Sequence, residues 1–250
     1  LRGLCAFWAR IISKKDTAMK TIGMIGGMSW ESTESYYRAI NEGIKRELGG
    51  LHSAKICLVS VDFDEIEQLQ REGDWAGSGE LLASAAVAVQ AGGADFLLIC
   101  TNTMHKVADT IQSAIDIPIL HIADATAQAL VTDSRRCVGL LGTRFTMEEE
   151  FYKARLTEKF GIEVVIPSPA SCNRVSTIIY DELCLGVISD ESREFYLQQI
   201  ADLSSRGAQA VILGCTEIAL LVQQSHTEVP LYDTTAIHAE AAIKMALIDR

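Results

Sequence analysis

Two stretches of the chain place side chains able to handle protons where an apolar run gives way to a helical pattern. One is Ile99-Cys-Thr-Asn-Thr-Met-His105 and the other is Leu213-Gly-Cys-Thr-Glu217. The first N–H groups of a helix have no partner within it, so each junction can receive a carboxylate. The same setting lowers a cysteine thiol from about 8.5 toward neutrality, which makes Cys215 a candidate base or nucleophile. Asn102, Thr103 and Thr216 could add side-chain donors, and Glu217 could orient the Cys215 thiol or accept its proton. The plainer alternative is that these small polar residues only cap helices, with Glu217 as a first-turn acid complementing the helix dipole.

The elements that must position these residues are short. Apolar runs of strand length occur at 21–25, 55–61, 95–100, 117–122, 137–141, 163–166, 208–213 and 229–231. They are rich in Val, Ile and Leu, as expected of strands covered on both faces. Helical patterns lie between them at 31–48, 78–91, 104–114, 147–159 and 192–205. Such alternation predicts an α/β fold of right-handed βαβ units with parallel sheets.

The chain also matches itself. Ile22–Gly27 parallels Val138–Thr143 at an offset of 116, and Phe96–Thr101 parallels Ala210–Cys215 at an offset of 114. Each second run leads to a Pro-containing segment, Ile117–His121 or Val229–Asp233. Two pseudo-symmetric half-domains follow, each a small parallel sheet flanked by helices, with the active site in the cleft between them. The expected division is 19–118 plus 227–250 for one half and 119–226 for the other. Ligands bind beyond the carboxyl ends of parallel strands, so Thr101 and Cys215 should face one ligand from opposite sides.

Composition narrows the class. Hydrophobic residues at 48% and charged residues at 22% are ordinary for a globular chain, which argues against long disorder. A net charge of −11 argues against nucleic acid or an anionic membrane as a partner. Seven cysteines form no paired framework and suggest a reducing cytoplasm. The five histidines lack metal-ligand spacing and no C-x-x-C occurs, so no metal is expected. Gly23–Gly27 lacks the phosphate-loop pattern, but with Met28 and Ser29 it could cradle a carboxylate. Residues 1–18, in which Arg10 interrupts the apolar stretch, are expected to be a non-native extension ahead of a natural start at Met19.

Several motifs occur together: GGMSWEST (Gly26–Thr33), NTMH (Asn102–His105), LLGTRFTM (Leu140–Met147), IIYDEL (Ile178–Leu183), GCTE (Gly214–Glu217) and PLYDT (Pro230–Thr234). In these the sequence resembles the aspartate/glutamate racemase family of cofactor-independent amino-acid racemases, from Met19 to Ile248. It looks closest to the L-aspartate/glutamate-specific or broad-specificity subgroup. The resemblance implies two α/β half-domains, a homodimer, an amino-acid substrate and no cofactor. It also implies a pair of residues flanking the substrate Cα, one removing a proton and the other returning one to the opposite face.

The sequence departs from that family at two places. The first of the two family cysteines is replaced by Thr101, and Cys100, one residue earlier, should point away and pack as a buried thiol. The resemblance implies that the second-half cysteine removes the proton from the L-amino acid, so Cys215 is expected to deprotonate the L-substrate and Thr101 to reprotonate it, with the D-substrate handled poorly. Where family aspartate racemases carry an Arg and a Lys for the distal carboxylate, this chain has Val61–Glu67 and Tyr180–Gly186, with Arg144 or Arg174 as possible substitutes. L-aspartate and L-glutamate are the leading substrates. The alternatives are racemisation of neutral amino acids, one-cysteine decarboxylation of a malonate-type acid, and a non-catalytic amino-acid sensor. His105 is expected to be structural or to support the site from behind, Trp30, Tyr36 and Tyr37 to be core, and Glu148–Glu150 to form a helix's first turn.

Overall fold

Strands that are covered on both faces need apolar side chains on both, and the two sheets meet that demand in the same way. The computed structural model describes residues 19–248; the expected extension lies outside the described residues. In chain order the first elements are β1 (Ile22–Gly26), α1 (Trp30–Leu48), β2 (Ile56–Ser60), α2 (Phe63–Glu72), α3 (Trp75–Ala91), β3 (Phe96–Ile99), α4 (Ala108–Ser113) and α5 (Ile122–Thr132). Then come β4 (Cys137–Gly142), α6 (Arg144–Glu148), α7 (Glu150–Phe160), β5 (Glu163–Val165), α8 (Pro169–Asp181) and α9 (Asp190–Ser205). The last are β6 (Val211–Gly214), α10 (Ile218–Leu221), β7 (Leu231–Asp233) and α11 (Thr234–Leu247). No helix among the described residues is long and apolar enough to cross a membrane.

Both sheets are parallel, in the orders β2-β1-β3 and β5-β4-β6-β7. Alternation along β1 and β3 separates two clusters. Ile22, Met24, Phe96 and Leu98 pack with Tyr36, Ile40 and Ile44 of α1 and Ala239 and Ile243 of α11. Ile25, Leu97 and Ile99 pack on the other face with Leu82, Ala86 and Val89 of α3. Cys100 joins the first cluster, fully buried, as its register predicts. Full burial of some five apolar side chains of this size contributes roughly 1.5–3 kcal/mol each, which is why strands of four or five residues suffice.

The repeat extends to the sheet edge. In the second half Val211 N–H donates to the Pro230 carbonyl at 2.9 Å, beginning the β6–β7 pairing. In the first half Leu97 N–H donates to the Pro118 carbonyl at 2.9 Å, but pairing stops at the single Leu97–Ile119 bridge. The strand expected at 117–122 is thus reduced to one bridge. Both Pro-bearing segments lie at edges, where a missing donor is tolerated. The expected division at 226/227 does not follow these pairings. Residues 231–233 complete the second sheet, and only α11 returns to pack on α1.

Three local expectations change. Residues 103–107 form a 3-10 turn before α4 rather than one continuous helix. Glu148 ends α6, Glu149 sits at the N-cap position of α7 without a side-chain capping bond, and only Glu150 lies in a first turn, so the acidic run spans a break. Trp30 is 68% exposed and Tyr37 is exposed as well, whereas Tyr36 is buried. Helical geometry explains the difference: Tyr36, Ile40 and Ile44 define the buried face of α1, and positions 30 and 37 share another.

The turn after β1 delivers Met28 and Ser29 to the cleft. It needs Gly27, whose φ is +91° and whose N–H donates to Thr33 Oγ1 at 2.8 Å. A Cβ there would lie 2.1 Å from the Val61 carbonyl oxygen. Gly27→Ala should therefore cost about 3 kcal/mol, combining positive-φ strain with a backbone clash. Urea unfolding of the variant beside the parent protein checks this; an unchanged midpoint would show that the turn relaxes freely.

Candidate functional site

The carboxyl ends of β1 and β3 face those of β4 and β6 across a cleft that narrows to a cavity of about 20 Å³. That volume holds about one water. Thr101 and Cys215 both line it, one from each half, together with Met28, Asn102, Thr103, Thr216 and Glu217. Ser29, also expected here, reaches the site at one remove through Glu217.

Glu217 organises the second half of the site. Its carboxylate is buried, and Oε2 accepts hydrogen bonds from the Cys215 thiol at 2.9 Å and the Thr216 hydroxyl at 2.6 Å. Oε1 accepts from the Ser29 hydroxyl at 2.6 Å, across the cleft. Ser29 also caps α1, receiving Ser32 N–H at 3.3 Å. One carboxylate thus joins the end of β6 to the start of α1.

The thiol does not behave as its place in the sequence suggests. Burial pushes the Cys215 thiol well above its ordinary range, and the negative charge of Glu217 and the nearby Cys184 push it the same way. The opposing influence, the Glu217 backbone N–H, is smaller. The expected lowering fails because burial and the Glu217 charge prevail, and α10, only four residues long, has little dipole to set against them. Cys215 therefore rests as a thiol that donates its proton to Glu217.

Asn102 is also corrected. Its Nδ2 donates to Thr234 Oγ1 at 3.0 Å, and that hydroxyl donates onward to the Leu213 carbonyl at 2.9 Å. The amide orientation follows, because Thr234 has spent its proton and must accept. Asn102 Oδ1 is left buried without a partner among the described residues, so it offers the site an acceptor where a donor was expected. Thr216 has likewise spent its donor on Glu217, and Thr103 Oγ1 pairs with Thr143 Oγ1 at 3.0 Å.

The cavity lining adds Gln70, Thr143, Tyr180 and Cys184 to the residues expected from sequence. Thr143 was visible in the internal match, where it corresponds to Gly27, and Tyr180 sits in IIYDEL. Gln70 carries no such signal. Tyr180 OH donates to Gln70 Oε1 at 3.2 Å, and these two residues separate the inner cavity from an outer pocket of about 340 Å³. Arg71 and Arg144 line the outer pocket. Arg174 lies elsewhere, paired with Glu191 at 3.2 Å and stacked 4.3 Å from the Phe195 ring. Among the described residues no group of three or more His, Cys, Asp or Glu side chains is placed to hold a metal.

Two α/β halves thus bring a thiol and a hydroxyl to the lining of one small cavity. The comparisons give the chain a family. The Asp/Glu/hydantoin racemase description matches residues 25–242, and the chain belongs to that family. It is by that membership an isomerase of the racemase type. A solved structure from Yersinia pestis, described as a putative Asp/Glu racemase, is 56% identical, with a TM-score of 0.86, covering 92% of this chain and all of that one at 100%. An aspartate racemase homologue from Pyrococcus horikoshii is 34% identical, with a TM-score of 0.77, over 91% of this chain and 99% of its own. A glutamate racemase from a Hydrogenobaculum species is 30% identical over 135 residues, 54% of this chain, and the match spans about half of that relative's length at 50%.

The resting thiol leads to a direct measurement. With the Glu217 charge removed, the Cys215 thiolate is less penalised, so its pKa falls. In Glu217→Gln the pH profile of Cys215 alkylation by iodoacetamide, followed on its own peptide by mass spectrometry, should move to lower pH by about one unit or more. An unmoved profile would mean that Glu217 does not hold the proton on sulfur.

Proposed function

We propose that this chain is a cofactor-independent amino-acid racemase that interconverts L- and D-aspartate and glutamate by proton transfer at Cα. The observation that carries this reading is that Thr101 and Cys215 line one cavity from opposite halves. Inversion needs a proton removed on one face and supplied on the other, and two related halves provide the two faces.

The site residues suggest how the charges balance. Glu217 takes the proton of the Cys215 thiol, and the thiolate removes Cα–H from the L-amino acid. Backbone N–H groups of the two strand-to-helix turns hold the α-carboxylate, where negative charge develops. The unpartnered Asn102 Oδ1 accepts from the α-ammonium group. Thr101 gives its hydroxyl proton to the opposite face and recovers one from solvent, matched by the proton that Glu217 releases. The reverse reaction asks a threonine hydroxyl to act as base, for which it is much weaker than a thiolate. Free enantiomers have equal energy, so kcat/KM must be the same in both directions. The asymmetry falls on kcat and KM separately, with the lower kcat for the D-substrate.

An amino acid does not fit in the space of about 20 Å³, so access requires the Tyr180–Gln70 contact to part toward the outer pocket. There Arg71 and Arg144 offer charge to a distal carboxylate. One observation favours neutral substrates instead: no Arg or Lys is among the described residues lining the inner cavity, and both outer arginines face glutamates, Arg71–Glu67 at 3.4 Å and Arg144–Glu148 at 3.2 Å. The reading includes a cytoplasmic homodimer, the assembly implied by the resemblance.

Incubation in D2O with single L- and D-amino acids, without pyridoxal phosphate and with a chelator, tests both substrate readings. Deuterium at Cα with loss of optical purity is expected for aspartate and glutamate, and Cys215→Ala should abolish it. Thr101→Ala should lower racemisation by about 100-fold or more, while Thr101→Cys should raise kcat from the D side. Racemisation that survives Thr101→Ala unchanged would remove Thr101 from the mechanism, and exchange confined to neutral amino acids would select the second substrate reading.

A further inference from the structure

We propose that His105 is a positioning residue that holds Thr101 in line with the substrate, a role that rests on the racemase reading above. His105 is buried in the 3-10 turn at 103–107, and each ring nitrogen meets a backbone group. Nε2 lies 3.2 Å from the backbone N–H of Ile122, which can only donate, so Nε2 is the acceptor. Nδ1 therefore carries the hydrogen and donates it to the Thr101 carbonyl at 2.8 Å. The ring is neutral with one tautomer set by its partners. Its surroundings keep it so: it is buried, and the His121 and His238 rings lie 4.4 and 6.0 Å away, centroid to centroid.

Thr101 needs such a support. Its hydroxyl makes no hydrogen bond to another described residue, so its place is set through its backbone. One anchor is its N–H, which donates to the Ile99 carbonyl at 2.9 Å; the other is His105 on its carbonyl. His105 thereby ties the turn to Ile122, the first residue of α5. The second half shows the contrast. At the internal offset of 114, Thr101 corresponds to Cys215 and His105 to Ala219. Cys215 needs no histidine there, because the Glu217 carboxylate holds its side chain directly. One half fixes its reactive atom through the side chain and the other through the main chain.

The test separates the two faces. Racemisation of L-aspartate needs both Cys215 and Thr101. β-Elimination from threo-3-chloro-L-aspartate needs only the Cys215 face. In it the thiolate takes Cα–H, the C–H electron pair becomes the Cα=Cβ bond, chloride leaves, and water hydrolyses the resulting enamine, through its imine, to oxaloacetate and ammonia. In His105→Leu racemisation should fall roughly tenfold to a hundredfold, the scale set by a misplacement of about 1 Å, while elimination stays within about twofold of the parent protein. His105→Asn, whose amide N–H can replace the Nδ1 donor, should restore most of the racemisation. Both reactions falling in equal proportion in His105→Leu, with no recovery in His105→Asn, would overturn the positioning role. A parent protein that performs neither reaction would instead overturn the aspartate/glutamate racemase reading on which this role rests.

Discussion

A buried carboxylate with no cation against it among the described residues sits where the two halves meet, and the site is arranged around it. Moving an isolated carboxylate out of water is expensive unless hydrogen bonds replace the lost hydration. Glu217 finds three such donors, the hydroxyls of Ser29 and Thr216 and the thiol of Cys215. Each is constrained in return. Ser29 is held at the cap of α1, Thr216 loses its donor to any ligand, and Cys215 keeps its proton at rest. The contact to Ser29 also crosses the cleft, so satisfying the charge and closing the halves are one event. Any ligand that parts the halves must offer Glu217 something in place of Ser29.

The two halves share a scaffold and differ in how they use it. Parallel strands ending at a common edge put the turns after β3 and β6 in equivalent positions. The sequence then places Thr101 at one and Cys215 at the other. A thiol beside a carboxylate has a proton acceptor at 2.9 Å, and it becomes a base by giving that proton up. A hydroxyl with no such neighbour serves better as a donor. On the reading proposed above, the pseudo-symmetry would supply the two faces that inversion requires, and the broken symmetry of the side chains would give each face a direction.

The scaffold was legible in the sequence because it depends on short-range pattern. Apolar runs of four to six residues, repeated at nearly one offset, identify strands covered on both faces, and the partners Thr101 and Cys215 follow from their place at the strand ends. What was not legible depends on contacts between distant segments. The raised Cys215 thiol comes from burial by both halves and from a helix too short to offset it. The orientation of the Asn102 amide is decided by Thr234, 132 residues away. His105, His121 and His238 show no ligand spacing along the chain, yet they gather behind Thr101. Trp30 was misplaced for a more local reason, since an aromatic residue at the first position of a helix lies beyond the stripe that the rest of the helix buries.

The overall charge bears less on the substrate than it first suggests. A net charge of −11 sets a repulsive field for an acidic amino acid, but surface charges are screened over about 8 Å at physiological ionic strength. Arg71 and Arg144 line the outer pocket, and both are well exposed at 68% and 57%. Ion pairs this exposed are worth about 0–1 kcal/mol. A substrate carboxylate that displaces Glu67 or Glu148 therefore exchanges one weak partner for another at little cost. On the reading proposed above, what an acidic substrate would have to overcome is not the field of the whole molecule but the distance from these arginines to a Cα held between Thr101 and Cys215. Tyr180 and Gln70 stand across that path, so on the same reading the parting of their contact would decide whether the distal group reaches the arginines or remains among neutral side chains.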